Sequence, residues 1–482
     1  MTRIRVKIGL LPSRRAGHTA WTEQMRVDSL ALLTDLTGVE VLAPRVAEDG
    51  AVDPRTGATP HGTVNNLDEA DAVAFFFRQE GVDALVICPV DFGDERSAVN
   101  VAASLGVPVL LYATKEPPAP PDASMARVSD SYCGTLSIAA GLTRRKLPFR
   151  FAGVHFPGDP ELVAEAQTFV QALGVARALR GARIGQVGVR PAPFESVAYD
   201  EVSMARHFGE NVIPCNLADV IDAARAIPDD DQRVRDLTAE IRASVAEVTV
   251  SESHLLRAAK VELALVDFWT RSRLSALAAQ CWPSIQRMAG ISLCAVYGRM
   301  TARHMLTACE VDVLGALSML ASYGAALGEA LPHFVDWTIQ HRENPNWLLA
   351  WHCGNAPTCL AADPAHTALR SRRDMAGVLA IPEDDAMAGL YQFQVKPGAV
   401  TFCRLAEYDG EWKMLIAPGR IVPSDESLAG TWSWVQVRDH ALLYRTLVEE
   451  GFIHHASMIH GDQVRALREA CRFLGVRPVV VE

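Results

Sequence analysis

The sequence predicts an α/β fold in which parallel sheets are followed by a small, barrel-like antiparallel β domain. In the first third of the chain, short apolar runs alternate with stretches of helical periodicity, as parallel strands joined by crossover helices do. Further along, two β-type runs meet at Asp409-Gly410, a dipeptide favoured in two-residue hairpin loops. We predict three domains, at residues 1–175, 176–365 and 366–482.

The first predicted domain is built from apolar runs that end at polar or proline-containing loops. These runs are RVKIGLLP, VEVLAP, DALVICPVDFGDE and GVPVLLY. Ligands of parallel sheets bind at the carboxyl ends of the strands. The loop Val90–Glu95 is therefore either a pocket wall or a solvated turn.

The second predicted domain begins near Gly181 with the strand pattern GARIGQVGV, followed by a helix in YDEVSMARHFG and a strand in NVIPC. It contains no GxGxxG, so nothing indicates a dinucleotide and no organic cofactor is expected. A long helical region is predicted from about Asp231 to Ala279. After the hairpin, the third domain closes with a helix in HALLYRTLVEEG, a corner in FIHHASMIHGD, a helix in DQVRALREACRFLG and a strand in VRPVVVE.

Composition excludes several classes of protein. With 46 Lys and Arg against 57 Asp and Glu, the net charge of the 482 residues is −11, which disfavours nucleic acid and anionic membrane surfaces. No run is long enough to predict a membrane span, and the N-terminus lacks the apolar core of a signal peptide. The ten cysteines form no CxxC pair, so we expect reduced thiols in a cytoplasmic protein.

Glu310, in the stretch TACEVDVLGALSML, is the first candidate for chemistry. If a helix begins near it, Glu310 shares a face with apolar residues at +3, +4, +7 and +11 and is a charge at the buried tip of that face. Asp312 also has apolar neighbours at +3, +4 and +7, so spacing does not separate the two acids. The alternative is that Glu310 is an acid at the start of the helix, stabilised by the macrodipole.

Asp336, in HFVDW, is predicted to mark the end of a strand, because aspartate is depleted inside strands; a helix N-cap or a turn is the alternative. His352, in LLAWHCGNAP, is either a site residue or an ordinary corner histidine. Cys353 as a nucleophile with His352 as its base is a weaker alternative, because neighbours in a strand point to opposite faces. The same alternation predicts that at most one of His454 and His455 points into a given site.

Two acids and two imidazoles near the ends of predicted elements match the inventory of a catalytic divalent-metal site. An ionised carboxylate in an apolar setting costs several kcal/mol unless it is paired or bound to a cation. Mixed carboxylate and imidazole ligands suit Mn²⁺, and also Mg²⁺ or Co²⁺.

At these residues the chain resembles the superfamily of L-fucose isomerase and L-arabinose isomerase. The motifs are CWPSIQ (281–286), ACEVDVLGALSM (308–319), FVDW (334–337), WHCGNAP (351–357) and HHASMIHGD (454–462), with weaker similarity in FGDERSA (92–98), CGTLSIA (133–139) and YDEVSMARHFG (199–209). The resemblance implies two Rossmann-like domains followed by a β-barrel domain. It also implies a homo-oligomer, a trimer or hexamer, with active sites between subunits.

The resemblance also implies roles for four residues. Glu310 looks like a metal ligand and acid/base, Asp336 like the second ligand and proton-transfer partner, and His455 like the C-terminal metal ligand. His352 matches a ligand of the arabinose branch, whereas aspartate at position 336 is typical of the fucose branch. The substrate class is therefore left open between the branches.

The implied reaction is the interconversion of an aldose and a ketose, an intramolecular oxidation–reduction that proceeds through an enediolate. Glu310 and Asp336 would be the acid/base pair acting on an unphosphorylated sugar, which includes deoxy and otherwise modified sugars. One alternative is a metal-dependent lyase or epimerase on the same scaffold. The other is a non-catalytic sugar-binding or sensing protein.

Overall fold

The computed structural model describes residues 4–15, 17–116, 128–371 and 388–482. These residues form two compact units, the first ending at Gly174 and the second beginning at Val175. The mixed α/β class predicted from the sequence is confirmed, since both units contain parallel sheets and the second also contains a large mixed sheet.

The first unit contains a five-stranded parallel sheet with helices between its strands. The strands of this unit are β1 (Val6–Ser13), β2 (Val39–Leu42), β3 (Arg45–Val46), β4 (Ala58–Thr59), β5 (Ala84–Pro89), β6 (Val109–Thr114) and β7 (Phe149–His155). Strands β3 and β4 pair with each other, and the other five form the sheet. Its helices are α1 (Ala20–Thr34), α2 (Leu67–Glu80), α3 (Glu95–Leu105), α4 (Ser131–Arg144) and α5 (Pro160–Leu179), the last of which continues into the second unit. The strand order is β2-β1-β5-β6-β7. Every residue of β5 and β6 is buried, as expected of parallel strands covered on both faces.

The second unit holds two further sheets. Its strands are β8 (Arg183–Val187), β9 (Asn211–Cys215), β10 (Glu247–Val248), β11 (Ala276–Ala279), β12 (Thr307–Cys309), β13 (His333–Gln340), β14 (Trp347–His352), β15 (Ala368–Ser371), β16 (Ala388–Gln394), β17 (Gly398–Tyr408), β18 (Glu411–Ile421), β19 (Thr431–Gln436), β20 (His455–His460) and β21 (Arg477–Val480). Its helices are α6 (Glu201–Phe208), α7 (Leu217–Ala226), α8 (Gln232–Ala243), α9 (Glu252–Ser272), α10 (Ser284–Ala289), α11 (Cys294–Ala302), α12 (Val313–Ala325), α13 (His440–Glu449) and α14 (Val464–Leu474). Four of these strands form a parallel sheet in the order β12-β11-β8-β9.

The larger sheet has the order β10-β15-β16-β19-β14-β13-β20-β17-β18-β21. Because β18 also pairs with β19, the strands from β19 through β14, β13, β20 and β17 to β18 form a closed ring of pairings. All pairings within this ring are antiparallel. The barrel-like and Rossmann-like forms of the predicted domains stay predictions, as do the domain boundaries.

The predicted hairpin at Asp409-Gly410 is present. The two residues join β17 to β18, and both have positive φ values, 54° and 84°. Positive φ at both central positions is the requirement of the tight turn that matches strand twist.

Two sequence predictions in the second unit are wrong in detail. The predicted helical region 231–279 consists of α8 and α9 separated by β10, and it ends in strand β11. Short strands with mainly alanine and leucine, such as β11, carry too weak a β signal to interrupt a helical pattern. The predicted corner FIHHASMIHGD contains β20, which lies between β13 and β17 in the ring.

Helix α12 is buried along its whole length and packs against β17 and β20. A helix that is apolar all round can be accommodated only in a core. Two of its hydroxyls bind the surrounding strands: Ser318 Oγ accepts a hydrogen bond from the Leu405 N–H at 2.8 Å, and Ser322 Oγ lies 2.6 Å from Ser457 Oγ. These contacts hold α12 against β17 and β20.

Among the described residues, no helix combines the length and the apolar composition that crossing a bilayer requires.

Candidate active site

The turn between β12 and α12 positions Glu310. Glu310 and Val311 both adopt left-handed backbone, with φ of 62° and 58°, and α12 begins only at Val313 with Asp312 as its N-cap. A helix does begin near Glu310, as expected, but Glu310 precedes it and therefore lies neither on its apolar face nor in its first turn. Left-handed backbone at two consecutive residues with side chains is costly, and such conformations concentrate at functional sites.

Asp336 lies inside β13, where it pairs with Trp351 of β14 on one side and with His455 of β20 on the other. The predictions of a strand end and of a helix N-cap are both wrong. The low strand propensity of aspartate is overridden here because the carboxylate meets imidazoles rather than apolar core. Its side chain is 23% exposed, and Oδ1 lies 3.6 Å from His455 Nε2.

His455 is fully buried and uses both ring nitrogens. Nε2 lies 2.8 Å from Glu310 Oε2, and Nδ1 lies 2.8 Å from Asp312 Oδ2. Burial alone would lower the pKa of His455, but hydrogen bonds to Asp312 and Glu310 raise it to about 10. A protonated His455 therefore places a positive charge between Glu310 and Asp312.

Glu310 is held as a carboxylate. Burial by itself raises the pKa of this group, but the hydrogen bond from His455, the positive charge on His455 and the Trp282 indole lower it to about 2. Trp282 Nε1 donates to Oε1 at 2.9 Å. One oxygen of Glu310 is therefore fixed by an indole and the other faces His455.

His352 closes the group from the end of β14. Its Nδ1 accepts the Cys353 N–H at 2.9 Å, and its Nε2 is buried without a hydrogen-bond partner among the described residues. Burial lowers the pKa of this imidazole, but the charge of Asp336, together with Cys353 and Glu310, raises it above its ordinary value. Asp336 Oδ1 likewise has no hydrogen-bond partner in the described part of the chain.

The structure brings all four residues predicted from the sequence into one cluster, and His454 with them. Two sets of possible ligand atoms lie within 4.8 Å of one another: Glu310, His454 and His455, and Asp336, His352 and His455. Both sets contain His455, so they overlap at that residue. Carboxylate oxygens and imidazole nitrogens are ligands that suit a divalent cation such as Mn²⁺. Two of these atoms, Asp336 Oδ1 and His352 Nε2, are buried without a hydrogen-bond partner among the described residues, which also fits a cation site.

His454 corrects a sequence prediction. Alternation along a strand predicted that only one of His454 and His455 points into a given site, yet both supply atoms to the same cluster. The reason is that β20 begins at His455, so His454 precedes the strand and alternation does not apply to it. The two rings lie with centroids 4.1 Å apart.

Three more residues of the site were not singled out from the sequence: Asp312, Arg404 and Phe194. Arg404 donates to both carboxylate oxygens of Asp312, and the Phe194 ring contacts Trp282, His454 and His455 edge-on, at centroid distances of 5.2–6.3 Å. Asp312 had the same apolar spacing as Glu310, but nothing in the sequence connects Arg404 or Phe194 to it. A cavity of about 410 Å³ adjoins Val311 and is also lined by Gln186, Arg190 and Tyr199.

Two family models match separate parts of this chain. Residues 43–183 match the N-terminal domain of fucose/sulfoquinovose isomerase, and residues 350–481 match the C-terminal domain of L-fucose isomerase. The two matches lie in the order of one family and together cover more than half of the chain. The chain belongs to the fucose isomerase-like superfamily. The resemblance seen in the sequence motifs is thereby confirmed.

Characterised relatives of this superfamily member are distant but align over most of their length. A sulfoquinovose isomerase from Alkalicoccus urumqiensis is 25% identical over 407 residues, which are 83% of this chain and 86% of the relative. Sulfoquinovose isomerases from Clostridium sp. (strain MSTE9) and Priestia aryabhattai are 26% and 23% identical over 78% and 88% of this chain, and 81% and 91% of their own. The enzyme class expected from the sequence, an aldose–ketose isomerase, is confirmed.

Among solved structures, a periplasmic solute-binding protein from Actinobacillus succinogenes 130z with bound D-allose covers 66% of this chain and 92% of its own, with a TM-score of 0.17 and 10% identity. Similarity at that level carries no argument about this protein.

Proposed function

We propose that this member of the fucose isomerase-like superfamily is a divalent-metal-dependent isomerase that converts a sulfonated aldose, sulfoquinovose, into the corresponding ketose. The observation that carries the proposal is that two sets of possible ligand atoms, one with Glu310 and one with Asp336 and His352, both include His455. The substrate is suggested by the relatives, which are sulfoquinovose isomerases. The exposed guanidinium of Arg190 in the cavity beside Val311 is chemistry that suits a sulfonate.

Glu310, Asp336, His352 and His455 would hold the cation. When bound, a divalent cation supplies Lewis-acid polarisation of the C1 carbonyl and the C2 hydroxyl of the open-chain sugar, which acidifies the C–H bond at C2.

The proton transfers belong to the two carboxylates. Isomerisation requires that the proton on C2 be removed and returned at C1, while a proton moves between the two sugar oxygens. Glu310 is ionised at neutral pH because His455 and Trp282 stabilise its carboxylate, so it is in the form that accepts a proton. Asp336 has an oxygen without a hydrogen-bond partner in the described structure, which leaves it available for the second transfer.

The surrounding side chains restrict the geometry of these groups. Trp282 fixes one oxygen of Glu310, and Phe194 covers Trp282 and both adjacent histidines. An aromatic cover of this kind limits the access of water to the enediolate of the sugar. The expected homo-oligomer, its sites between subunits and its location in the cytoplasm remain part of the proposal.

The test is an NMR time course of sulfoquinovose in D₂O with the protein and Mn²⁺. We expect signals of the ketose to grow in and deuterium to appear at C2 of the aldose. Removal of divalent ions with a chelator should abolish turnover, and added Mn²⁺ should restore it. Full activity after exhaustive chelation would contradict the proposed metal dependence. Exchange of hydrogen for deuterium at C2 without formation of ketose would favour an epimerase.

Carboxylate-to-amide variants test the assignment of the acid/base pair. Glu310→Gln and Asp336→Asn should each lower kcat by about 10²–10⁴-fold, the usual contribution of general acid–base catalysis. Glu411→Gln, the same change at an exposed glutamate of β18, is the matched control and should retain wild-type activity. Near-wild-type kcat in either site variant would remove that residue from the mechanism.

A further inference from the structure

Asp312 and Arg404 form a buried ion pair behind the one imidazole that both sets of metal-site atoms share. Asp312 is completely buried and Arg404 is 2% exposed. Arg404 Nη1 donates to Asp312 Oδ2 and Nη2 donates to Oδ1 at 3.1 Å, so the contact is two-pronged. Asp312 lies at the N-terminus of α12 and Arg404 lies on β17, 92 positions apart in the sequence.

The contacts of Asp312 leave one of its oxygens shared between Arg404 and His455. Oδ1 accepts the Gly315 N–H at 2.8 Å, which is the helix cap, while Oδ2 lies 2.8 Å from His455 Nδ1. An N-cap needs only an oxygen, and serine, threonine or asparagine would supply it without a charge. A buried guanidinium is not needed for a cap, and a buried ion pair is a poor way to increase stability compared with apolar packing.

The charge is explained if Asp312 acts on His455. An imidazole that binds a cation through one nitrogen must carry its remaining proton on the other, and an acceptor at that other nitrogen selects this tautomer. Here the acceptor faces Nδ1, while Nε2 faces Glu310 and lies 3.6 Å from Asp336. Arg404 fixes the orientation of the acceptor through two parallel contacts.

We propose that Asp312 and Arg404 are positioning residues that hold the His455 proton on Nδ1 and thereby present Nε2 to a divalent cation. This inference rests on the proposed function, because it assumes that a cation binds at His455. In this proposal, Asp312 and Arg404 act only through His455 and contact neither the substrate nor the cation.

The first experiment measures Mn²⁺ binding directly, by following the free-ion EPR signal during titration of the metal-free protein. Asp312→Asn keeps an oxygen for the cap but removes the charge, and we expect its affinity for Mn²⁺ to fall by about 10–100-fold. Arg404→Lys keeps a positive charge without the two-pronged contact and should lose less affinity than Asp312→Asn. Asp439→Asn is the matched control: Asp439 caps α13 through the Leu442 N–H, and the change should leave affinity within twofold of wild type.

A loss of less than about fivefold in Asp312→Asn would overturn the proposal. If the wild type itself bound no Mn²⁺, both this proposal and the proposed metal dependence would fail. If the wild type bound Mn²⁺ but did not isomerise sulfoquinovose, the proposed function would fail, and the affinity ratios would still decide the role of Asp312.

The second experiment needs no variant at Asp312, so a folding defect cannot obscure it. In protein labelled with ¹⁵N-histidine and loaded with diamagnetic Zn²⁺, the His455 resonances are assigned by their loss in His455→Gln. We expect a protonated Nδ1 and a metal-shifted Nε2. A protonated Nε2 with the metal on Nδ1 would overturn the proposal.

Discussion

Two buried glutamates of the second unit, Glu310 and Glu210, differ in the partners that meet their carboxyl groups. Glu310 faces an imidazole and an indole, which together lower its pKa to about 2 in spite of burial. Glu210 is 2% exposed, and neither of its carboxyl oxygens has a hydrogen-bond partner among the described residues. Burial therefore raises the pKa of Glu210 to about 9.

The raised pKa of Glu210 predicts a pH dependence of stability. Its folded-state pKa of about 9 lies above the ordinary value of 4.5, so the folded state binds this proton more tightly than the unfolded chain does. The stabilisation is complete below pH 4.5 and is lost as the pH rises toward 9. Glu210→Gln removes this dependence, so between pH 5 and pH 8 the wild type should lose about 2–4 kcal/mol more unfolding free energy than the variant.

Urea unfolding of both proteins at pH 5 and pH 8 measures this difference. Because all other titrating groups are the same, subtracting the two pH dependences isolates Glu210. Glu411→Gln, at an exposed position, should follow the wild type at both pH values. If the free energy of unfolding of wild type and Glu210→Gln changed equally with pH, the prediction would be wrong. The Glu210 carboxyl group would then be hydrogen-bonded or hydrated in the folded protein.

At the scale of residues, the sequence predicted which side chains of the cluster meet, but not the residues that contact the cluster from behind. Glu310, Asp336, His352 and His455 stood out because each is a polar or charged residue in an apolar stretch. Arg404 lies in TFCRLAEY, an equally apolar stretch, but its partner Asp312 is distant in sequence and the pairing depends on how α12 packs on β17. A buried pair of this kind is visible only after the tertiary contact is known.

At the scale of elements, α12 links the turn that carries Glu310 to the large sheet through hydroxyl groups. Ser318 is fully buried, and its Oγ accepts the N–H of Leu405 on β17. Removing that acceptor leaves a buried N–H without a partner, which costs the desolvation of the group.

Ser318→Ala is therefore expected to lower the free energy of unfolding by about 1–3 kcal/mol. Since Ser318 touches none of the clustered carboxylates and imidazoles, kcat of the folded variant should stay within about twofold of wild type. Thr446→Ala is the matched control: its Oγ1 donates to Leu442 O on an exposed helix face, and its loss should cost less than about 0.5 kcal/mol. Denaturant unfolding with activity measured at low temperature checks both values. Equal stability of Ser318→Ala and wild type would mean that Leu405 finds another acceptor.

Elements with a strong local signal were predicted well, and those defined by their partners were not. The hairpin at Asp409-Gly410 and the helix α14 in DQVRALREACRFLG follow from turn chemistry and helical periodicity. A helix near Glu310 was expected, but the position of Glu310 outside that helix was not, because left-handed backbone at Glu310 and Val311 is rare for such residues and has no local signature. The strand β20 was read as a corner because its ladder partners, β13 and β17, are remote in sequence.

At the scale of the whole molecule, the site exists because distant segments are neighbours in one sheet and one turn. Glu310 and His455 are 145 positions apart, and they meet because β20 pairs with β13 while α12 packs against β20. The order of the strands in the ring depends on these non-local pairings. Composition and periodicity predicted the mixed α/β class, but they do not contain the pairing order.

Because the clustered side chains come from four separate segments of the second unit, a cation that binds them should stabilise the folded chain. A ligand that binds only the folded state adds about 2.7 kcal/mol at a concentration of 100 Kd. The melting temperature of metal-free protein should therefore rise by several degrees on addition of Mn²⁺ and fall again with chelator. His455→Gln removes the imidazole common to both ligand sets and should reduce this shift to near zero, whereas Glu411→Gln should keep it. Differential scanning calorimetry at fixed protein concentration measures the shifts. An equal shift in wild type and His455→Gln would mean that the stabilising cation binds elsewhere on the chain.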